Sequence, residues 1–320
     1  MAISGTGTQA DPYIVDSVAA LLQKVQENSV YIKIAKDLDC YKEDTPWQEV
    51  NWECMNVDGQ NHKIDNIYVK NWCINFRCRD SSIKNIDFNI TCNSLSSSAS
   101  IFYLQDTMGN SINFCKINIT LESTTEHIAV LHASQNWYSF NNNKIKIALK
   151  GKCASLMLLE MNSMYGYIRN SEFLLYSYDS NTSIDEINMI SNYSETYVER
   201  CRFRVEVPVC KKFHILTSNS SNGQISSSYF IGNIGTEDAL FKDTYSYTIQ
   251  NSYIALKNHK SKVNISTNSP TSDRTTACNA INTFINAEDT NIVPVGSFIG
   301  LTEAQCKDPD YLNSIRWYVK

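Results

Sequence analysis

Glycine and proline are scarce, 11 and 6 in 320 residues, so the chain is neither collagen-like nor a Pro/Gly-rich disordered linker. Long runs of Ala, Leu, Glu and Lys, which helices favour, are missing. No stretch approaches the roughly 18 to 20 apolar residues of a membrane helix, so no membrane partner is expected. Cationic excess is absent too. Against 28 Lys and Arg stand 33 Asp and Glu, a formal charge of -5 that offers no basic face to a phosphate backbone, and nucleic acid is not expected as a partner. The 11 cysteines include no Cys-x-x-Cys pair. Cys73 and Cys78, the closest two, read as strand residues, because a zinc site needs two further ligands that no His or Cys cluster supplies. Met1 to Thr8 show neither a basic nor an apolar leader region, so no secretory signal is expected and the cysteines read as reduced and mostly buried. No nucleophile elbow, phosphate loop or zinc-helix motif occurs, and no cofactor or metal is expected.

What is abundant is asparagine, serine, isoleucine and tyrosine, a mixture suited to short strands joined by polar turns. These residues recur in a pattern. An apolar residue is followed five positions later by another, in Ile83/Phe88, Ile112/Ile117, Phe140/Ile145, Ile168/Phe173, Val198/Phe203, Ile225/Phe230 and Ile249/Ile254. The second members lie 29, 28, 28, 30, 27 and 24 residues apart. Between copies runs another apolar strand, at Ile101 to Leu104, Ile128 to Leu131, Leu156 to Leu159, Ile187 to Ile190, Phe213 to Leu216 and Ala239 to Phe241. Each period thus holds at least two strands and no room for a crossover helix.

A short strand cannot bury its apolar face alone, but equivalent strands stacked about 4.8 Å apart enclose a shared interior. The pattern predicts an all-β fold, a single-stranded right-handed parallel β-helix, because β-crossover-β connections overwhelmingly take that hand. A sandwich would show hairpin turns every 8 to 12 residues, and that rhythm is missing. Between the paired apolar residues lie Asn85 and Ile86, Asn142 and Asn143, Asn170 and Ser171, Arg200 and Cys201, Ser227 and Ser228, Asn251 and Ser252. Asparagine tolerates a left-handed bend, and side-chain amides there are expected to form a ladder. Residues 83–258 are the regular coils. Residues 1–82 read as an N-terminal cap with irregular first coils, opened by a helix that Ser17 caps and that presents Val18, Leu21, Leu22 and Val25 as one stripe. Residues 259–320 read as the last strands and a small C-terminal cap, with a capping box at Thr302 to Gln305, a second helix from Asp308, and Trp317 and Tyr318 as a closing patch.

Candidate chemistry is sparse. Asp87, Asp106, Glu160, Glu172, Asp179, Asp185, Glu186 and Glu199 keep no common register in the repeat, so a carboxylate pair would have to come from non-equivalent coils. His62, His127, His132, His214 and His259 are dispersed. Aromatics are the better clue: Trp137 and Tyr138, Tyr165 and Tyr167, Tyr193 and Tyr197, and Tyr245 and Tyr247 precede successive copies. Stacked coils would align them on one edge, as candidate contacts for sugar rings or a partner protein, or simply stacked on one another to seal the turn.

The opening Gly5 to Val15, Gly-Thr-Gly-Thr-Gln-Ala-Asp-Pro-Tyr-Ile-Val, resembles the start of β-helix proteins carried by bacteriophages of gut bacteria. The ending Leu301 to Ile315 is similar to their terminal segment, although Arg316 stands where that ending often carries Gly. The resemblance implies a virion structural protein of tail, baseplate, fibre, receptor-binding or capsid-associated type. Such a protein would be made in the host cytoplasm and assemble with other virion proteins as a homo-oligomer, a trimer being expected. Host polysaccharide is the candidate ligand. A polysaccharide depolymerase on the same scaffold, glycosidase or lyase, is the alternative. A bacterial surface adhesin would need an export signal or wall anchor.

Overall fold

The computed structural model describes residues 3–314 apart from 48, 55, 70–71, 78, 94–97, 105–108, 124–125, 135–136, 163–164, 193–194, 219–222, 239, 243–246, 261–262, 265, 268–278, 282–283, 287–291, 294–298, 303 and 306–307. The chain winds as a parallel β-helix. Successive coils build three sheets of twelve, eleven and nine strands, with a further two-stranded pair, Val263–Asn264 with Ile292–Val293, and among the described residues only the N-terminal pairing of Ile3–Ser4 with Tyr13–Val15 is antiparallel. One coil shows the plan. Asn110–Asn113 lies in the first sheet, Lys116–Glu122 in the second and His127–Ala133 in the third, before Tyr138–Asn141 returns to the first.

The seven-copy motif is the corner from the first sheet to the second, so a period holds three strands. Ile83, Ile112, Phe140, Ile168, Val198, Ile225 and Ile249 pair in register on one side of that corner. Phe88, Ile117, Ile145, Phe173, Phe203, Phe230 and Ile254 pair on the other. All fourteen are at most 2% exposed. Phe173, Phe203 and Phe230 stack with centroids 4.7 Å apart and planes within 7°, the spacing that the coil rise imposes.

At the bend, Asn85, Phe114, Asn142, Asn170, Arg200, Ser227 and Asn251 all take φ between 48° and 57°. Their side chains point away from the bore, while the following residues, Ile86, Cys115, Asn143, Ser171, Cys201, Ser228 and Ser252, are buried in it. The ladder therefore takes a form other than the expected amide-to-amide stack. The Cys115 N–H donates to Asn143 Oδ1 (2.9 Å), Asn143 N–H to Ser171 Oγ (3.2 Å), Cys201 N–H to Ser228 Oγ (3.0 Å) and Ser228 N–H to Ser252 Oγ (3.3 Å). Asn143, Ser171, Ser228 and Ser252 thus each satisfy a backbone N–H of the preceding coil, which the tight bend leaves without a ladder carbonyl.

The N-terminal helix α1, Val18–Lys24, is capped by Ser17, whose Oγ accepts from the Ala20 N–H. Val18, Ala20, Leu21 and Val25 are fully buried against the first coil, whereas Leu22 lies at the margin of the expected stripe. The Val25 carbonyl accepts from Glu53 and Cys54, tying helix to coil. At the other end, Thr302 and Gln305 form the expected capping box, and Asp308 Oδ1 accepts from Asp310 and Tyr311 at the start of α2, Pro309–Ser314. Tyr311 packs with Leu301, Tyr253, Tyr229, Ile231 and Ala255 on the outside of the second sheet. Trp317 and Tyr318 lie outside the described residues. The eight described cysteines are buried, Cys73 among them, and Cys78 is not described.

Candidate functional site

The aromatic residues of the first sheet divide by parity. Tyr138 and Tyr247 stand two positions before the inward Phe140 and Ile249, so both enter the bore and are 3% and 0% exposed. They offer no surface to a glycan or partner, a correction to their expected role. Tyr138 OH donates to Met161 Sδ (2.6 Å) and lies 3.3 Å from Thr196 Oγ1, and Tyr247 OH donates to the Thr196 carbonyl (3.0 Å). Tyr138 reaches that far because its register neighbour is Gly166.

Tyr165, Tyr167 and Tyr197 sit at odd offsets from Ile168 and Val198 and are only partly buried. Their faces are largely occupied. Trp137, 51% exposed, has its ring 5.4 Å from Tyr165. Tyr167 stacks on Tyr197 at 5.4 Å and 18°, and the Arg169 guanidinium lies 4.4 Å from the Tyr167 centroid while pairing with Glu199 at 3.0 Å. Tyr193 and Tyr245 lie outside the described residues. Among the described residues this edge is a stack of rings with the Trp137 side chain half exposed at one end.

The third sheet carries a more open arrangement. On its outer face Asn75, Tyr103, His132, Glu160 and Ser191 succeed one another in register, and His127, Ser155 and Glu186 form a parallel column. Trp72, Ser100, Tyr103, His127, His132 and Glu160 line a trough of about 470 Å³. Tyr103 meets the His132 ring edge-on at 4.9 Å, and His132 Nδ1 lies 3.0 Å from Glu160 Oε2. His127 Nδ1 lies 2.8 Å from Ser155 Oγ. Trp72 Nε1 and His127 Nε2 are buried without a hydrogen-bond partner, as are Asn75 Oδ1 and Asn188 Oδ1 on the same face. Such atoms cost about 1–3 kcal/mol each until a ligand or water meets them.

The electrostatics of the trough follow from burial. Desolvation pushes the His127 imidazole below its ordinary value, although the Glu160 and Glu186 charges oppose this. Burial alone would raise Glu160, but the His132 hydrogen bond and the charges of His132 and His127 hold its carboxyl below the usual range. A carboxylate so held cannot retain the proton that a glycosidase general acid delivers. The other acids are engaged elsewhere: Asp185 with Lys211 (2.7 Å), Glu172 with Arg202 (3.2 Å), Glu199 with Arg169 and Arg200, and Asp179 with Asn181 and Thr182 of its own turn. Asp87 lies on the second sheet beside Lys116, and Asp106 is not described. Among the described residues no group of three or more His, Cys, Asp or Glu could hold a metal ion. His62 pairs with Asp37 at 3.2 Å, and His214 is buried 3.6 Å from Asp238.

The trough escaped the sequence reading because its residues come from four coils and share no repeat position with one chemistry. The available signal was parity. His132 and Glu160 each follow an inward leucine, Leu131 and Leu159, at the same place in consecutive third-sheet strands.

No family model matches the chain, and no curated protein matches it. Among solved structures it is similar to a candidate immunoglobulin A1 protease from Bacteroides ovatus, at 14% identity over 98% of this chain and 88% of that one, with a TM-score of 0.47. A likeness at that level assigns this chain to no family.

Proposed function

We propose that this chain is a non-enzymatic attachment protein, a rigid β-helix that holds a stretch of surface polysaccharide in the third-sheet trough. The observation that carries this reading is the trough itself: two aromatic side chains, a His–Glu pair and unpartnered buried polar atoms on one face of a rigid sheet. Apolar ring faces beside a few placed polar groups suit the C–H faces and hydroxyls of sugars. The depolymerase alternative is weakened by the ionised state of Glu160. Membership of a bacteriophage particle, as tail, fibre, baseplate or capsid-associated element and as a homotrimer, belongs to the same proposal and is supported by the two terminal segments. Light scattering of the purified chain and mass spectrometry of particles test that part.

Binding is tested by titrating the protein with oligosaccharides from bacterial surface polysaccharides while following tryptophan fluorescence. Trp72→Ala and Tyr103→Ala are each expected to weaken binding at least tenfold, about 1.4 kcal/mol. Incubation with polymer is expected to release no reducing ends or unsaturated products. Unchanged binding by both variants, or accumulating products, overturns the reading.

A further inference from the structure

We infer that the trough selects an uncharged glycan and turns away uronates, sialates and sulfated sugars. This rests on the glycan-binding reading above and names its ligand class. The charge facing the trough has one sign. Glu160 is the lining carboxylate, its side chain 18% exposed, and Glu186 stands one coil further along the same face. Among the described residues lining the trough there is neither lysine nor arginine. Along the His127 column the first cation is Lys212, which stands beyond Glu186 in the next coil and is exposed.

The histidines do not reverse this balance. His132 is committed to Glu160 at 3.0 Å and offers no separate cation to an anionic ligand. His127 is held neutral by its burial, with Nδ1 on Ser155. An anionic sugar entering here would leave water for a partly buried carboxylate and find no counter-charge, which is a discriminating cost. A neutral sugar meets the faces of Trp72 and Tyr103, the hydroxyls of Ser98 and Ser100, and the unpartnered Trp72 Nε1 donor.

The test uses the full chain on an array of neutral, N-acetylated, uronate and sulfated glycans. It continues with one neutral polymer that binds, oxidised stepwise at C6 to its uronate form. Wild type is expected to bind the oxidised polymer at least tenfold more weakly. Glu160→Gln, checked for a retained cooperative unfolding transition, is expected to narrow that ratio to threefold or less, whatever its own affinity for the neutral polymer. Equal or tighter binding of the uronate form by wild type, lost in Trp72→Ala, overturns the charge selection and leaves glycan binding standing. Failure to bind any glycan overturns both.

Discussion

Gly166 lies beneath the Tyr138 ring, and adding one methyl group there tests how tightly the bore is packed. A Cβ at Gly166 would fall 1.9 Å from Tyr138 Cζ, 2.0 Å from its hydroxyl and 2.3 Å from Cε1, where ordinary contact is 3.4–4 Å. The ring cannot slide clear, because it is 3% exposed and its hydroxyl is engaged by Met161 and Thr196. Backbone conformation is not at issue, since Gly166 does not take a positive φ. The expected cost combines overpacking of about 1–3 kcal/mol with partial eviction of a large aromatic, less the roughly 0.5–1 kcal/mol by which Ala is favoured over Gly in a strand. A net loss of about 2–3 kcal/mol follows. In a Tyr138→Ala background the clash is gone, and Gly166→Ala should be neutral or slightly stabilising, giving a coupling of at least 2 kcal/mol. Urea unfolding of the four proteins, with amide exchange across Tyr165–Arg169 because solenoids open locally, reads the cycle. An equal penalty in both backgrounds would refute the packing argument.

Other expectations follow from the corners and the trough. Asn143→Leu removes the acceptor for the Cys115 N–H and the donor to the Ile112 carbonyl (2.8 Å); it should cost about 2–4 kcal/mol in urea unfolding, and a loss below 0.5 kcal/mol would show that the ladder is dispensable. Phe114 is 59% exposed at φ 57°, so Phe114→Gly should raise stability by about 1 kcal/mol, and a lower melting temperature would contradict this account of the bend. His127 has a folded pKa below its unfolded value of about 6.5, so the unfolded chain takes up the proton first; stability should be intact above that pH and fall below it, and His127→Gln should flatten the decline measured by thermal scans from pH 7 to 5. Glu160, also lowered, should lose its contribution at more acidic pH still, as pH falls through the carboxylate range, so that Glu160→Gln flattens only that lower limb.

The architecture was legible because its cause is periodic. A residue such as Phe203 is inward in one coil for the same reason as Phe173 and Phe230 are in theirs, and the five-residue step across the corner survives substitution of every polar residue inside it. The third strand was half visible. The sequence marks it as an apolar run, yet two successive side chains enter the bore there, as at Val130 and Leu131 or Leu158 and Leu159, which blurs the alternation that identifies a strand. The site was far less legible. Tyr138 and Tyr165 read alike as turn aromatics until the inward phase of Phe140 and Ile168 is applied to them. His132 and Glu160 are 28 residues apart and meet only because one coil has nearly that length.

The corner ladder makes the helix directional. Because the N–H groups of Cys115, Asn143, Cys201 and Ser228 are each satisfied by a side chain arriving from the next coil, the last coil to form always carries an open donor. The serine hydroxyls are also bonded within their own coils, as Ser228 and Ser252 are to the Ser226 and Gln250 carbonyls, whereas the Asn143 amide reaches back to the Ile112 carbonyl of the preceding coil. Shortening the chain from its C-terminal side opens the inward N–H of Cys115, Asn143, Cys201 or Ser228 where that coil becomes the last, whereas trimming from the N-terminal side opens a different set, the Lys144 and Glu172 N–H groups that reach back to the Cys115 and Asn143 carbonyls. A ribosome adding coils in sequence order thus leaves each of these four corner donors open until the next coil emerges.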